Sequence, residues 1–398
     1  MFNRIRNILR PAEQKSSRTS RLIAIESGGR ARWTPRDYAA LSREGYTKNA
    51  IVHRAVRLIA ESIGALSFIL YDGAAERDTH PLLDLIARPN PRQDGASFLE
   101  SIASYLLLAG NAYVEAVGIA GEGASVRELY ALRPDRRKVV PGADGWPQGF
   151  EYTVAGSTVR FDQAAAGLES GVPPILHLTL FNPLDDYYGF SPLEAAACAV
   201  DTHNAAAKWN KALLDNAARP SGALVYGGAE GSVLSDAQFE RLKKELADQY
   251  TGTGNAGRPM VLEGGLDWKA MSLSPKDMDF MEAKHSAARE IALAFGVPPM
   301  LLAIPGDNTY SNYQEANRVF FRQTVIPLGN RIAQALAQWL APAFGELTLA
   351  IDIDRIEALS GDRASLWERV TKAPFLTVNE KRLAVGYGAV QGGDTFAE

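Results

Sequence analysis

Residues Phe295–Phe321 read FGVPPMLLAIPGDNTYSNYQEANRVFF, and the rest of the chain is organised around this stretch. Two helical patterns meet at a loop punctuated by Pro298, Pro299 and Pro305. The loop carries Met300, Leu301, Leu302 and Ile304, where a solvent-facing connection would be polar, so it must cover an apolar surface. Upstream, Met278, Met281, His285, Ala288, Ile291, Ala292 and Phe295 share one stripe of a helix over Asp277–Phe295. Downstream, the spacing predicts a long helix over Asn312–Leu340. Asn312 and Glu315 have capping-box spacing, and Pro327 inside the helix predicts a kink because it removes a backbone bond and crowds the preceding turn.

Further upstream, Ser191–Ala217 reads as a helix of about 40 Å with Pro192 near its start. It is rich in alanine, so it cannot fill a core alone, but it lets another helix come close. Between the two helices lies a compact insert, Arg219–Ser274, made of SGALVY, the charged helix LSDAQFERLKKELADQY, and the strands PMVLEGG and LDWKAMSL. Toward the N-terminus, Asn49–Ile63 repeats apolar residues at helical spacing and SFILY is a strand. HPLLDLIARPNP is a brief helix stopped by Pro89 and Pro91, and GASFLESIASYLLLAG is a helix ended by Gly110. Period-two segments follow: NAYVEAVGI, VRELYAL, KVV, FEYTVAG, TVRF and ILHLTL. They predict one small antiparallel sheet beside helices, an α+β fold. The strand LTLAIDI and a short helical tail close the chain.

The chain has 398 residues, more than single cores of roughly 250 to 300 accommodate, so two or more packed units are expected. One cysteine, Cys198, excludes an intramolecular disulfide framework and fits a reducing cytoplasm. The five histidines are scattered, no apolar run has the length of a membrane span, and no signal-peptide pattern opens the chain. The net charge of −4 is not that of a protein that grips nucleic acid over a basic face. The exception is the start. Up to Arg36 nine basic residues stand against two acidic ones, and MFNRIRNILR places Phe2, Ile5, Ile8 and Leu9 on one helical face. That stretch reads as a partner-docking or nucleic-acid arm, a transit-like peptide, or a poorly ordered terminus.

Signatures of chemistry are sparse. GTGNAG at 252–257 has the letters of a dinucleotide fingerprint, but a helix precedes it and a strand follows, the reverse of the order that places a helix N-terminus on pyrophosphate. IDIDRIE supplies Asp352, Asp354 and Glu357, which could serve a metal-dependent nuclease or could be the polar face of a strand. His177 in ILHLTL reads as a surface or hydrogen-bonded structural histidine. No P-loop, HExxH or GxSxG occurs, and no cofactor or metal is expected.

HPLLDLIARPNP, SYLLLAGNAYVE, GFSPLEAA, NAARPSGAL, REIALAFGVPP, YSNYQEANRVFFRQTVIPL and TVNEKRLAVG, in this order from about 48 to 390, resemble the portal proteins of tailed bacteriophages and gene transfer agents. The resemblance implies a portal-type subunit. Its parts would be a basic arm (1–25), a wing (26–190), a first stem helix (191–217), a clip (218–276) and a second stem helix (277–296). A tunnel loop (297–310), a long kinked helix (311–344), a returning wing strand (345–357) and a short helical crown (358–398) would follow.

The implied function is structural and not enzymatic: a ring, typically of twelve subunits, at one capsid vertex of a virion or virion-like particle, assembled in the bacterial cytoplasm. The implied partners are the major capsid protein, the terminase large subunit, a head-tail adaptor and double-stranded DNA in the channel, with no membrane. The implied sites are the tunnel loop Ala303, Ile304, Pro305, Gly306, Asp307, Asn308, Thr309 and Tyr310, with Met300–Ile304 packed on a neighbour and Gly306 free to take positive φ. The clip surface would be Arg241, Lys243, Lys244, Glu245 and Asp248, and the inter-subunit stem positions Ala195, Ala206, Trp209, Met281 and Ala288. A minor head or connector protein, or the nuclease above, is the alternative.

Overall fold

The computed structural model describes residues 33–118, 126–143, 145–163, 171–215, 222–226, 266–270, 280–306 and 310–396, with Ser235, Ala237, Glu240, Arg241 and Lys244. The basic arm before Trp33 and the GTGNAG stretch lie outside the described residues. Two units separate at Trp33, and everything below concerns Thr34–Glu398.

After a short helix α1 (Tyr38–Leu41) and a π-helical turn, α2 (Ala50–Gly64) begins where Asn49 Oδ1 accepts from the amides of Ile51 and Val52. Its buried stripe of Val52, Ala55, Val56, Ile59 and Ile63 faces α4 (Gly95–Ala109), beside α3 (Pro81–Ala87). Gly110 ends α4 in the left-handed conformation. A Cβ there would lie 2.4 Å from the Gly189 carbonyl oxygen, so positive φ and close approach both require glycine.

The period-two segments all form strands, but in two sheets where the sequence predicts one. β3 (Asn111–Gly118) is flanked by β4 (Val126–Leu132) and β8 (Ile175–Thr179). β6 (Pro147–Val154) is flanked by β5 (Arg137–Pro141) and β7 (Ser157–Asp162). The sheets meet through a small cluster of Tyr113, Val139, Phe150 and Ile175. A third sheet joins β1 (Phe68–Asp72) to β2 (Ala75–Arg77) on one side and to β11 (Thr348–Ile351) on the other. β11 stops before Asp352 because that side chain accepts from the Asp354 amide and starts a 3₁₀ turn.

The helix expected over Ser191–Ala217 is interrupted. α5 (Pro192–Ala195), capped by Ser191 Oγ on the Glu194 amide, ends in a turn at Ala196 before α6 (Ala197–Asp215). β9 (Gly222–Tyr226) pairs antiparallel with β10 (Leu266–Ala270), and α7 (Phe280–Ala294) then returns against α6. The long helix starts at Tyr310, two residues before Asn312, and Glu315 pairs with Arg318. It runs as α8 (Tyr310–Phe320), a π-helical turn (Phe321–Val325) and α9 (Ile326–Phe344). The wide turn sits immediately before Pro327, where the missing amide and the ring displace the regular ladder. α10 (Ser360–Thr371) and α11 (Val378–Ala384), which carries a full capping box from Thr377 and Glu380, complete the chain. No helix among the described residues is long and apolar enough to cross a membrane.

Candidate functional site

The helix pair and the loop that follows it are built by different means. α6 is held to the N-terminal layer by polar contacts: Asn49 Nδ2 lies 3.1 Å from His203 Nδ1 and donates to Asn204 Oδ1, while Asn204 donates to the Glu44 carbonyl. Asp201 accepts from the amide and hydroxyl of Thr34. Burial, with Lys284 nearby, lowers the His203 pKa and keeps the ring neutral in this network.

Small residues bring α6 and α7 together. Ala206 and Ala288 are buried within the subunit, as are Ala287, Ile291, Ala292 and Phe295, so the expectation that alanine-rich helices need a neighbour to bury them is corrected for these two positions. Of the expected inter-subunit set, Ala195 is exposed and Trp209 and Met281 stay at the surface, with Asn210 Nδ2 3.9 Å from Met281 Sδ.

The loop follows the stripe of α7. Gly296 takes φ +65°, Val297 donates back to the Ala292 carbonyl, and Pro299–Leu302 form a 3₁₀ turn. Leu302 and Ile304 are buried in this chain's own core and Leu301 packs against it, which corrects the expected packing on a neighbour. Ala303, not Gly306, takes the left-handed conformation, at φ 55° and ψ 27°. The turn ends there because the Ala303 amide bonds the Met300 carbonyl and the Ile304 amide the Pro299 carbonyl. Pro305 and Gly306 are exposed, and the Pro305 carbonyl accepts from Arg289 of α7. Asp307, Asn308 and Thr309 lie outside the described residues, as does the Tyr310 side chain.

Of the insert, Arg241 and Lys244 are helical and exposed, whereas Lys243, Glu245 and Asp248 lie outside the described residues. The carboxylates of IDIDRIE do not converge on a cation site. Asp354 is engaged by Arg363 and by the Tyr387 hydroxyl, which hold its pKa down, while Asp352 caps the 3₁₀ turn and pairs with Arg355. Among the described residues no group of three such side chains could hold a metal. His177 is hydrogen-bonded to Asn111 Oδ1, as a structural histidine is.

Residues 50–386 match the family described as phage portal protein. The chain belongs to the phage portal protein family. This portal chain is similar to a protein of Rickettsia bellii, 42% identical over 89% of this chain and 90% of that one. It is also similar to the portal protein of Enterobacteria phage HK97, 24% identical over 89% of this chain and 82% of the other. Among solved structures, a chain in the virion of a native gene transfer agent particle is 51% identical, with a TM-score of 0.68 over 94% of this portal and all of that chain. A chain in the neck of the native particle, computed with C12 symmetry, is 50% identical with the same TM-score and coverage. The mixed helix and antiparallel-sheet fold of this portal is thus one already seen inside a particle.

Proposed function

We propose that the chain assembles into a closed ring, of twelve subunits, at one vertex of a phage-like or gene-transfer particle, and that double-stranded DNA enters and leaves through the hole. The observation that carries this reading is its 50% identity, over nearly its whole length, to a chain in a particle neck of twelvefold symmetry. A head-to-tail contact that closes on itself gives such a ring. The α6–α7 pair serves as the stem and residues 303–310 as the loop nearest the axis, where a chain of net charge −4 does not hold back a polyanion. The insert, residues 218–276, docks the terminase large subunit and later a head-tail adaptor, and the N-terminal layer meets the major capsid protein. The role is structural, not enzymatic, and assembly takes place in the bacterial cytoplasm.

Negative-stain images of the purified protein test the reading. Rings with a central hole are expected. Compact monomers that cut DNA only with a divalent cation would overturn it in favour of a nuclease.

A further inference from the structure

We propose that the π-helical turn Phe321–Val325 is a coupling joint that makes the position of the loop 297–306 depend on the placement of the C-terminal helix α10. The loop segment is tied to this turn directly at its start and, on its far side, along α8. At its start, Thr324 Oγ1 donates to the Gly296 carbonyl at 2.6 Å, and a Cβ on Gly296 would stand 2.8 Å from that hydroxyl. On the far side, α8 runs its full length from Tyr310 and continues into the turn at Phe321 without a break. From the other side, Arg322 Nη2 donates to Asp362 Oδ2 at 2.7 Å, and Arg318 Nε lies 3.5 Å from the same oxygen. Asp362 belongs to the first turn of α10, and its neighbour Arg363 holds that helix to Asp354 and to the Val385 carbonyl.

A π turn carries one residue more than an α turn over the same rise. Relaxing it toward α geometry would rotate α8 about its axis by roughly the angle one residue occupies, about 100°. Thr324 and Arg322 could not then reach Gly296 and Asp362 together. On this proposal the wide turn and its relaxed α-helical form are the two arrangements, and the hydroxyl on the loop side and the carboxylate on the C-terminal side both favour the wide one. By linkage, loosening either contact loosens the other by the same factor. The coupling lies inside one subunit and stands or falls apart from the ring reading.

Amide hydrogen exchange on the purified full chain reads it directly. Leu301, Ala303 and Ile304 donate backbone bonds within the loop, Val297 donates back to Ala292 of α7, and Lys372 and Ala373 donate at the end of α10. Asp362→Ala, or Arg322→Met breaking the same pair from the other side, is expected to speed exchange at the four loop amides about threefold, the size of one partly exposed charge pair. Exchange in β6 and β7 should not change. Thr324→Val should speed Lys372 and Ala373 in return, Thr324→Ser should keep parental rates, and Asp362→Ala with Thr324→Val should give less than the product of the single effects. Acceleration confined to α10 in the Asp362 and Arg322 variants would overturn the proposal, and so would an equal rise across β6 and β7.

Discussion

The rings of Tyr113 and His177 stack with centroids 4.3 Å apart and planes 12° from parallel, joining β3 to β8, and Phe150 of the second sheet closes on the histidine edge-on at 5.5 Å. Burial, with the Arg137 guanidinium nearby, pulls the His177 pKa down to about 4. An unfolded histidine titrates near 6.5, so between about 6.5 and 4 the unfolded chain binds the proton and the folded chain does not. The stability that depends on the neutral ring is complete above about 6.5 and is lost as the pH falls through about 4. The loss is on the order of 3 kcal/mol. Urea midpoints at pH 7.5 and pH 4.5 should fall further for the parent than for His177→Gln. Equal falls would mean that another group carries the acid sensitivity.

Arg137, 7% exposed, lies over Tyr113, Tyr152 and Phe161, its guanidinium carbon 5.8, 4.9 and 4.7 Å from the ring centroids. Its three guanidinium nitrogens have no hydrogen-bond partner, and burial lowers its pKa to about 10. Cation–π attraction therefore offsets a desolvation cost that no carboxylate meets directly. Arg137→Met, which keeps the covering stem, should change stability by less than about 1 kcal/mol, whereas Arg137→Ala should cost about 2–3 kcal/mol by leaving the ring faces uncovered. Thermal unfolding separates the two. A loss with Met as large as with Ala would show that the charge matters more than the packing.

Ala303 holds a backbone conformation that costs an L-residue about 1–2 kcal/mol and a glycine almost nothing. Ala303→Gly should leave stability unchanged or raise it by up to about 1 kcal/mol, while Ala303→Val should lower it by more than 1 kcal/mol. Chemical denaturation measures both. A stabilising Val would mean that the left-handed turn is not kept in solution.

Buried and exposed positions of the helix pair should respond differently. Ala206→Arg forces a charge into the subunit interior and should lower the melting temperature before any assembly step is reached. Leu293→Glu, at a position 80% exposed on α7, should leave the melting temperature within a few degrees and reduce the ring fraction in sedimentation. Intact rings with Leu293→Glu would remove that face of α7 from the contact between copies.

Local chemistry was legible where one residue settles one geometry. The apolar spacing from Asn49 to Ile63 became α2, Gly110 ends α4, and each period-two segment became a strand. Pairing was not legible, because alternation says which side chains share a face but not which strand lies alongside. β8 returns to β3 across the three strands of the other sheet. The π turn escaped because a proline predicts a disturbed ladder without saying whether the helix bends or widens. In the candidate site the apolar loop residues were correctly read as needing cover. What covers them, the subunit's own core, depends on long-range packing that a local pattern does not encode. Positive φ fell on Ala303 because the 3₁₀ turn ends there, and glycine permits that conformation without requiring it.

The pairing of β1 with β11 sets a clock on synthesis. Phe68 meets Ile351 across a ladder whose two strands leave the ribosome 283 residues apart. At 5–20 residues per second the first strand waits roughly 15 to 60 s for its partner. During that interval one edge of β1 has its backbone groups unpaired, a template for any passing strand. Incomplete chains are thus the species most exposed to mispairing, and a subunit cannot present its finished sheet to neighbours until Ile351 has been made. Slower elongation late in the message should raise the aggregated fraction without altering the mature protein.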